Sequence, residues 1–449
     1  MWRRSSSRIR ASMYTCARRL CSESARDGAA TLCPMRLPPA RTRFLVAALL
    51  PILVATLWPF PGQEPEGFLS CIACSDDATS DVLLNILLFA PLGAALALRV
   101  RSIPRCALIA ALLSASIELA QLYIPGRDSS LGDLLSNTLG GALGAVLTRT
   151  AALWLLPSPE RAARLSRTAA LAAAVVCWVT GALLTPAFPD ALYYGQWTPS
   201  LAHLARYRGR VLAATLSGLR ITPGPIPDSH LVRERLASKQ GFSLHVRAVA
   251  GPRTPALAPL FAIYDDHERE IVLLGPDRDD LVFRFRARAT DLRFDQPDVR
   301  LVSALQHVAA GDTLAITVTR GGQREQGRYS FEVNGRITSG LGCTVGCGWA
   351  VLMYPESFPA WMRMLLGAAW VGGLFALAGF WMRTRGDALF TAAAAATGLA
   401  GAPAFTPLVA TPALQWAAAA LGVLAGAALR IVLSRRLRRS PQRILTAIT

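Results

Sequence analysis

Residues 81–98 read Asp81-Val-Leu-Leu-Asn85-Ile-Leu-Leu-Phe89-Ala-Pro91-Leu-Gly93-Ala-Ala-Leu-Ala-Leu98. From Val82 to Leu98 the stretch is apolar except for Asn85. Its length suits a membrane-crossing helix, because about 17–25 residues rising about 1.5 Å each cover about 30 Å of hydrocarbon. Asp81, Asn85 and Phe89 are spaced four apart and so share one helix face. Polar groups in such a helix are costly and mark structure or function.

The reading extends outward to seven more apolar runs: Phe44–Phe60, Cys106–Tyr123, Leu134–Leu155, Ala169–Phe188, Leu365–Met382, Leu389–Ala410 and Ala413–Leu433. Hydrophobic residues make up 52% of the 449 and charged residues 17%, which excludes an ordinary soluble protein. The formal charge is +18, and Lys239 is the single lysine, so the charge is nearly all arginine. That charge is split into short clusters beside apolar runs. A membrane partner is therefore expected, and no nucleic acid. Arg149, inside the fourth run, is tolerable if it snorkels from a helix end.

Arginine clusters orient the helices, since they stay on the cytoplasmic side. Ten arginines lie between Arg3 and Arg43, whereas loop 62–80 has Glu64, Glu66, Asp76 and Asp77 and no arginine. Arg99, Arg101 and Arg105 come next, then Arg161, Arg164 and Arg167, Arg383 and Arg385, and the tail from Arg435 to Arg443. The expected fold class is a polytopic α-helical membrane protein of about eight spans plus an all-β jelly-roll sandwich. The expected domains are a basic tail (1–43), a five-helix membrane domain (44–188), an extracytoplasmic β-sandwich (190–357), three C-terminal helices (365–433) and a basic cytoplasmic tail (434–449). The membrane is the cytoplasmic (inner) one, with both termini inside. Met35 opens a second leader, MRLPPARTR, so residues 1–34 are expected to be disordered or untranslated.

Other polar residues fall at the depth of Asn85. Glu118 and Gln121 share a face of the third run with Ser114 nearby, Arg127 and Asp128 follow it, and Asp133 and Asn137 open the fourth one turn apart. In the orientation above all lie in the outer leaflet, Glu118 about 8 Å below the surface, with Arg127 as counter-charge for Glu118 and Asp133. A packing knot, a ligand-facing site and an ion path all remain open. Confinement to one leaflet argues against the path. Phe89, Pro91, Gly93, Gly140, Gly141 and Gly144 are expected to pack the helices, Gly140-x-x-x-Gly144 allowing close approach. Cys71 and Cys74 in the first outer loop, and Cys343 and Cys347 at the end of the outer segment, are disulfide candidates in an oxidising compartment. A redox or metal role for Cys71-x-x-Cys74 is the alternative.

Between 190 and 357 the pattern changes to period two, as in Phe242–Ala248, Leu281–Ala287, Leu314–Val318 and Tyr329–Val333. Arg284 and Arg286 are expected to point outward, and Asn334-Gly335 marks a tight turn. Short strands with regular turns indicate a two-sheet sandwich. The series LVFRFRARA, GDTLAITVTR, YSFEVNG resembles the laminin-G or concanavalin A-like jelly roll. That resemblance implies glycan or protein binding, sometimes with calcium, for which Asp265, Asp266, Asp277, Asp279 and Asp280 are candidates beside the plainer reading of turn and surface residues. No E-x-D-x-x-E pattern supports glycoside hydrolysis.

The membrane motifs N-x-x-x-F-x-P-x-G (Asn85 to Gly93), E-x-x-Q (Glu118, Gln121) and R-D-x-x-x-x-D-x-x-x-N-x-x-G-G-x-x-G (Arg127 to Gly144) resemble the VanZ-like family. That family is named after a membrane protein linked to glycopeptide resistance, mainly to teicoplanin. The resemblance implies a cell-envelope role, and the added β-segment and helices mean that resistance does not simply transfer. The leading expectation is a binding protein contacting membrane lipid and an envelope glycan, lipid-linked precursor or glycopeptide. The alternatives are an envelope-lipid or glycan enzyme using Glu118 or Asp133 as acid or base, and a structural scaffold.

Overall fold

The computed structural model describes residues 40–59, 72, 77–201, 204–296, 298–322, 327–353 and 358–439. The chain divides after Ala47 into an N-terminal unit, of which the described part is the start of the first helix, and a second unit that holds the other helices and both sheets. The helices are α1 (Ala40–Leu57), α2 (Ala78–Ala97), α3 (Ile103–Gln121), α4 (Leu131–Arg149), α5 (Pro159–Leu183), α6 (Ser229–Ala237), α7 (Ala360–Trp381), α8 (Arg385–Ala396, prolonged by a π turn to end at Phe405) and α9 (Ala413–Arg439). Local chemistry sets their starts. Ser102, Ser130, Ser158 and Thr384 each accept the backbone N–H three residues ahead. Proline opens α3 and α5, where a missing N–H does no harm.

Among the described residues six helices, α2, α3, α5, α7, α8 and α9, are long and apolar enough to cross a membrane, fewer than the eight expected. α4 has 19 residues, but Asp133, Asn137 and its glycines dilute its apolar character. The fourth run also breaks after Arg149, and a separate short turn covers Ala151–Leu155. The Arg149 guanidinium donates to Val100 O at 2.8 Å, at the end of its helix. In the six apolar windows only 17% to 39% of residues are buried. Leu87, Leu112, Leu421 and Leu424 are 60% to 64% exposed. So much outward apolar surface suits hydrocarbon and not water.

Glycine sets how closely the helices meet. α4 packs on α2 and α3. A Cβ on Gly144 would lie 1.9 Å from Ala90 O, and one on Gly93 would lie 1.9 Å from Gly141 O. Phe89 is fully buried beside this contact, whereas Pro91 faces outward. A second seam of the same kind joins α7 to α9, where a Cβ on Gly422 would be 2.0 Å from Gly372 O. α5 flanks it, Ser166 Oγ donating to Ala378 O at 2.9 Å.

Between α5 and α7 lie two six-stranded antiparallel sheets, a layout consistent with a jelly roll. The strands are β1 (Tyr193–Trp197), β2 (Arg210–Leu216), β3 (Leu219–Arg220), β4 (Gly224–Ile226), β5 (Phe242–Val249), β6 (Phe261–Asp265), β7 (Glu270–Asp277), β8 (Asp280–Phe285), β9 (Asp298–Leu301), β10 (Thr313–Arg320), β11 (Tyr329–Val333) and β12 (Arg336–Leu341). One sheet runs β4-β1-β6-β7-β8-β9 and the other β12-β11-β10-β5-β2-β3. Alternation sends Phe242, Leu244, Val246 and Ala248 into the shared core. There Phe283 meets the rings of Phe242, Phe285 and Tyr329. Asn334 and Gly335 turn β11 into β12 with positive φ angles of 48° and 82°, the geometry that such a pair favours. Asn334 also accepts Ala315 N–H at 2.8 Å, tying the turn to β10.

Arg284 and Arg286 leave the core face as alternation requires, but they do not reach solvent, being 7% and 6% exposed. The outer face of their sheet is itself covered: Leu257, Leu273 and Val282 form a small second core there, with Leu204 against it. Arg284 pairs with Glu270 at 3.6 Å, and Arg286 donates to Asp291 at 2.8 Å.

The sandwich is fastened to the starts of two helices. Thr79 N–H donates to Arg293 O at 3.0 Å and the Ser80 hydroxyl to Val351 O at 2.8 Å, both at the start of α2. Arg363, in the first turn of α7, lies 3.8 Å from Asp280 and 3.7 Å from Asp298. At the opposite helix ends, Trp381 Nε1 donates to Trp154 O at 2.6 Å and Arg167 pairs with Asp387 at 3.2 Å.

Gly144→Ala is expected to destabilise the detergent-solubilised protein by about 1–3 kcal/mol, since its methyl must part α4 from α2. Gly373→Ala, whose Cβ would meet nothing within 4 Å, is the control and should unfold at or above the wild-type midpoint.

Candidate functional site

The N-terminal end of α4 organises the polar residues. Ser130 is its N-cap, accepting Asp133 N–H at 3.3 Å. The Ser130 N–H is itself bound by Glu118 Oε2 at 2.8 Å, and the Ser129 hydroxyl supplies a second donor to the same carboxylate. Glu118 thus anchors the loop between α3 and α4. One turn deeper, Asn137 Nδ2 donates to Ser114 Oγ at 3.0 Å. One turn shallower, Gln121 Nε2 donates to Thr56 O of α1 at 3.0 Å. Glu118, Asn137 and Gln121 are 1%, 2% and 5% exposed, so they brace the helices from within.

The accessible part is the mouth between α2 and α4. Asn85 Nδ2 donates to Asp133 Oδ1 at 2.9 Å. Both residues are half-buried, and Asp81 is exposed one turn above Asn85. The expected counter-charge divides its role: Arg127 interacts electrostatically with Asp133 but gives its hydrogen bonds elsewhere. Arg127 turns to α1, donating Nε to Trp58 O at 3.0 Å and Nη2 to Ala55 O at 2.6 Å. It therefore caps carbonyls that α1 leaves unsatisfied, and Glu118 is met by the serine donors instead. Asp128 is exposed on the loop, outside the cluster. Ser129, Ser130 and the α1 carbonyls were not among the expected residues. Ser130-x-x-Asp133 is a readable cap signature, but nothing local signals the α1 contacts.

Catalytic geometry is thin here. Ser114 Oγ is bonded to an amide and not to a base. On the sandwich, Ser243 Oγ lies 3.0 Å from His245 Nε2, but the other ring nitrogen meets the Thr317 hydroxyl at 2.9 Å, where an orienting carboxylate would be needed.

The acidic residues of the sandwich are largely matched by arginine. Arg300 bonds Asp277, Asp280 and Asp298 while 7% exposed. Burial alone would lower its pKa, but Asp298 and Asp277 raise it, keeping it charged. Asp279 pairs with Arg253 at 3.0 Å. Among the described residues, Asp265, Asp266 and His267 are grouped closely enough to share an ion. Asp265 there already binds Arg269 at 2.7 Å. Cys343 and Cys347 are unbridged thiols, and Cys71 and Cys74 lie outside the described residues.

Apolar helices of membrane length, a glycine-packed group with polar residues at one end, and an inserted two-sheet domain define a polytopic membrane protein. Residues 39–154 match the VanZ/LLP1 family. The match spans α1 to α4 and includes every residue of the polar cluster, but it stops before the sandwich. No curated protein and no solved structure matches the chain.

Replacing Arg300 by Met should destabilise the protein by about 3–5 kcal/mol, because it strands buried carboxylates. Denaturant unfolding measures this; an unchanged midpoint would mean that the ion cluster is not formed.

Proposed function

We propose that this chain is a VanZ-like integral membrane protein of the cell envelope that holds a ligand at the outer ends of α2 and α4, with the sandwich as an extracytoplasmic glycan- or protein-binding module. The observation that carries this reading is the separation of charge along the helices. Asp81 and Asn85 lie in the half of α2 whose start meets the sandwich. Asp133 is bonded to Asn85, and Glu118 to the cap of the same helix as Asp133. Arg101, Arg105, Arg149, Arg167 and Arg383 lie toward the other ends. Arginine is retained on the cytoplasmic side, so the polar mouth and the sandwich face outward from the cytoplasmic membrane, with both termini inside.

Asp133, Asn85 and Asp81 contact the ligand, and the inner Glu118, Gln121 and Asn137 hold them in place. The mouth offers mainly acceptors. Lipid-linked precursors and glycopeptides carry the amide and amine donors that complement it. Among the described residues, the Asp265–Asp266–His267 turn is the place where the sandwich would take calcium. A second reading, a structural scaffold, is favoured by the deep burial of Glu118 and Asn137. An enzyme of envelope lipids would reveal itself by turnover that Asp133→Asn abolishes.

A cysteine replacing the exposed His230 should react with a membrane-impermeant maleimide in intact cells, above the unsubstituted background. Reaction only after permeabilisation would invert the topology. Asp133→Asn in nanodiscs should weaken teicoplanin binding by roughly tenfold, the loss of one charge-assisted contact, with an unchanged unfolding midpoint. Equal affinity in the folded variant would leave the scaffold.

A further inference from the structure

We propose that Cys343 and Cys347 are a dithiol–disulfide pair whose oxidation staples the turn fastening the sandwich to α7 and α9. This is independent of the ligand reading, since it concerns a different part of the chain. After β12 the chain curls into a 3-10 helix over Val345–Val351, capped by the Thr344 hydroxyl, which accepts Gly346 N–H at 3.2 Å. The curl brings the two thiols into hydrogen-bond contact. Both are partly exposed, in contrast to the buried Cys106 and Cys177.

The curl is gripped from two sides. Cys343 O accepts Val409 N–H at 2.8 Å. Gln415 of α9 donates Nε2 to Thr344 Oγ1 at 2.7 Å and accepts Gly346 N–H at 3.2 Å. A Cβ on Gly348 would lie 2.6 Å from Trp370 Nε1 of α7. The turn is therefore held in the conformation that pairs the sulfurs. Hydrogen bonding from the Cys343 thiol, with help from Thr344, lowers the Cys347 pKa, and the same contact raises that of Cys343.

The oxidant is a disulfide, X–S–S–X. One of the two cysteine thiolates attacks one of its sulfurs, forming a mixed disulfide and releasing one thiolate. The other cysteine of the pair loses its proton, attacks the Sγ of the first and releases the second thiolate. One S–S bond breaks in the oxidant and one forms in the protein. Two electrons pass to the oxidant, which leaves as two thiols.

The test treats purified full-length protein in detergent with oxidised glutathione, blocks free thiols with N-ethylmaleimide and maps the peptides by mass spectrometry. The expected peptide containing both cysteines is unalkylated and lighter by two hydrogens. Dithiothreitol should restore both alkylations and lower the thermal midpoint. Cys343→Ser should trap Cys347 as its glutathione adduct; if that variant does not fold, the wild-type map decides. Full alkylation after oxidation, a bridge from either residue to Cys71 or Cys74, or a midpoint indifferent to reduction would overturn the proposal.

Discussion

Where Gly144 meets Ala90 and Gly93 meets Gly141, α2 and α4 touch through main-chain atoms, and the polar cluster depends on that contact. Surrounded by hydrocarbon, apolar side chains gain little by choosing a helix over a lipid tail, so close van der Waals contact and interhelical hydrogen bonds must hold the group together. The glycines supply the first and permit the second. With the two axes drawn together, Asn85 is brought level with Asp133. α3, packed on the same helix, brings Ser114 level with Asn137 and Glu118 level with Ser130. A bulkier residue at the contact would separate the Asn85–Asp133 row.

The chain treats its polar groups in two ways. Deep in the first helix group each buried amide or carboxylate is used to close a helix end or join two helices. Glu118 completes the start of α4, and Arg127 completes the end of α1. In the sandwich, burial is answered by charge pairing, with Arg300 shared by three carboxylates. Breaking either kind is costly, since it leaves an unpaired group in a medium of low polarity. The difference between these committed groups and the half-buried Asn85–Asp133 pair singles out the mouth of α2 and α4.

Much of this was legible in the residues. The apolar runs, the period-two strands and the Asn334-Gly335 turn are local signals, and local signals survive folding. The three-helix convergence could also be anticipated, because spacing fixes a residue's helix face and charge fixes its end. The arginines that differ from expectation share one cause, which is long-range contact. Arg127 does interact with Asp133, yet carbonyls of α1, remote in sequence, take its hydrogen bonds. Arg284 and Arg286 alternate outward correctly, but they are buried there and paired with Glu270 and Asp291. The second glycine seam, with Gly422 against Gly372, has only small residues as its signal, and the surrounding alanines mask it.

Arg363 sits in the first turn of α7 with its guanidinium among the carboxylates of the sandwich. It acts as a mechanical linkage. If a thicker or thinner bilayer changes the tilt of α7, the motion arrives directly at Asp280 and Asp298, which also share Arg300. The start of α7 is thereby joined to the same ion cluster that ties β8 to β9.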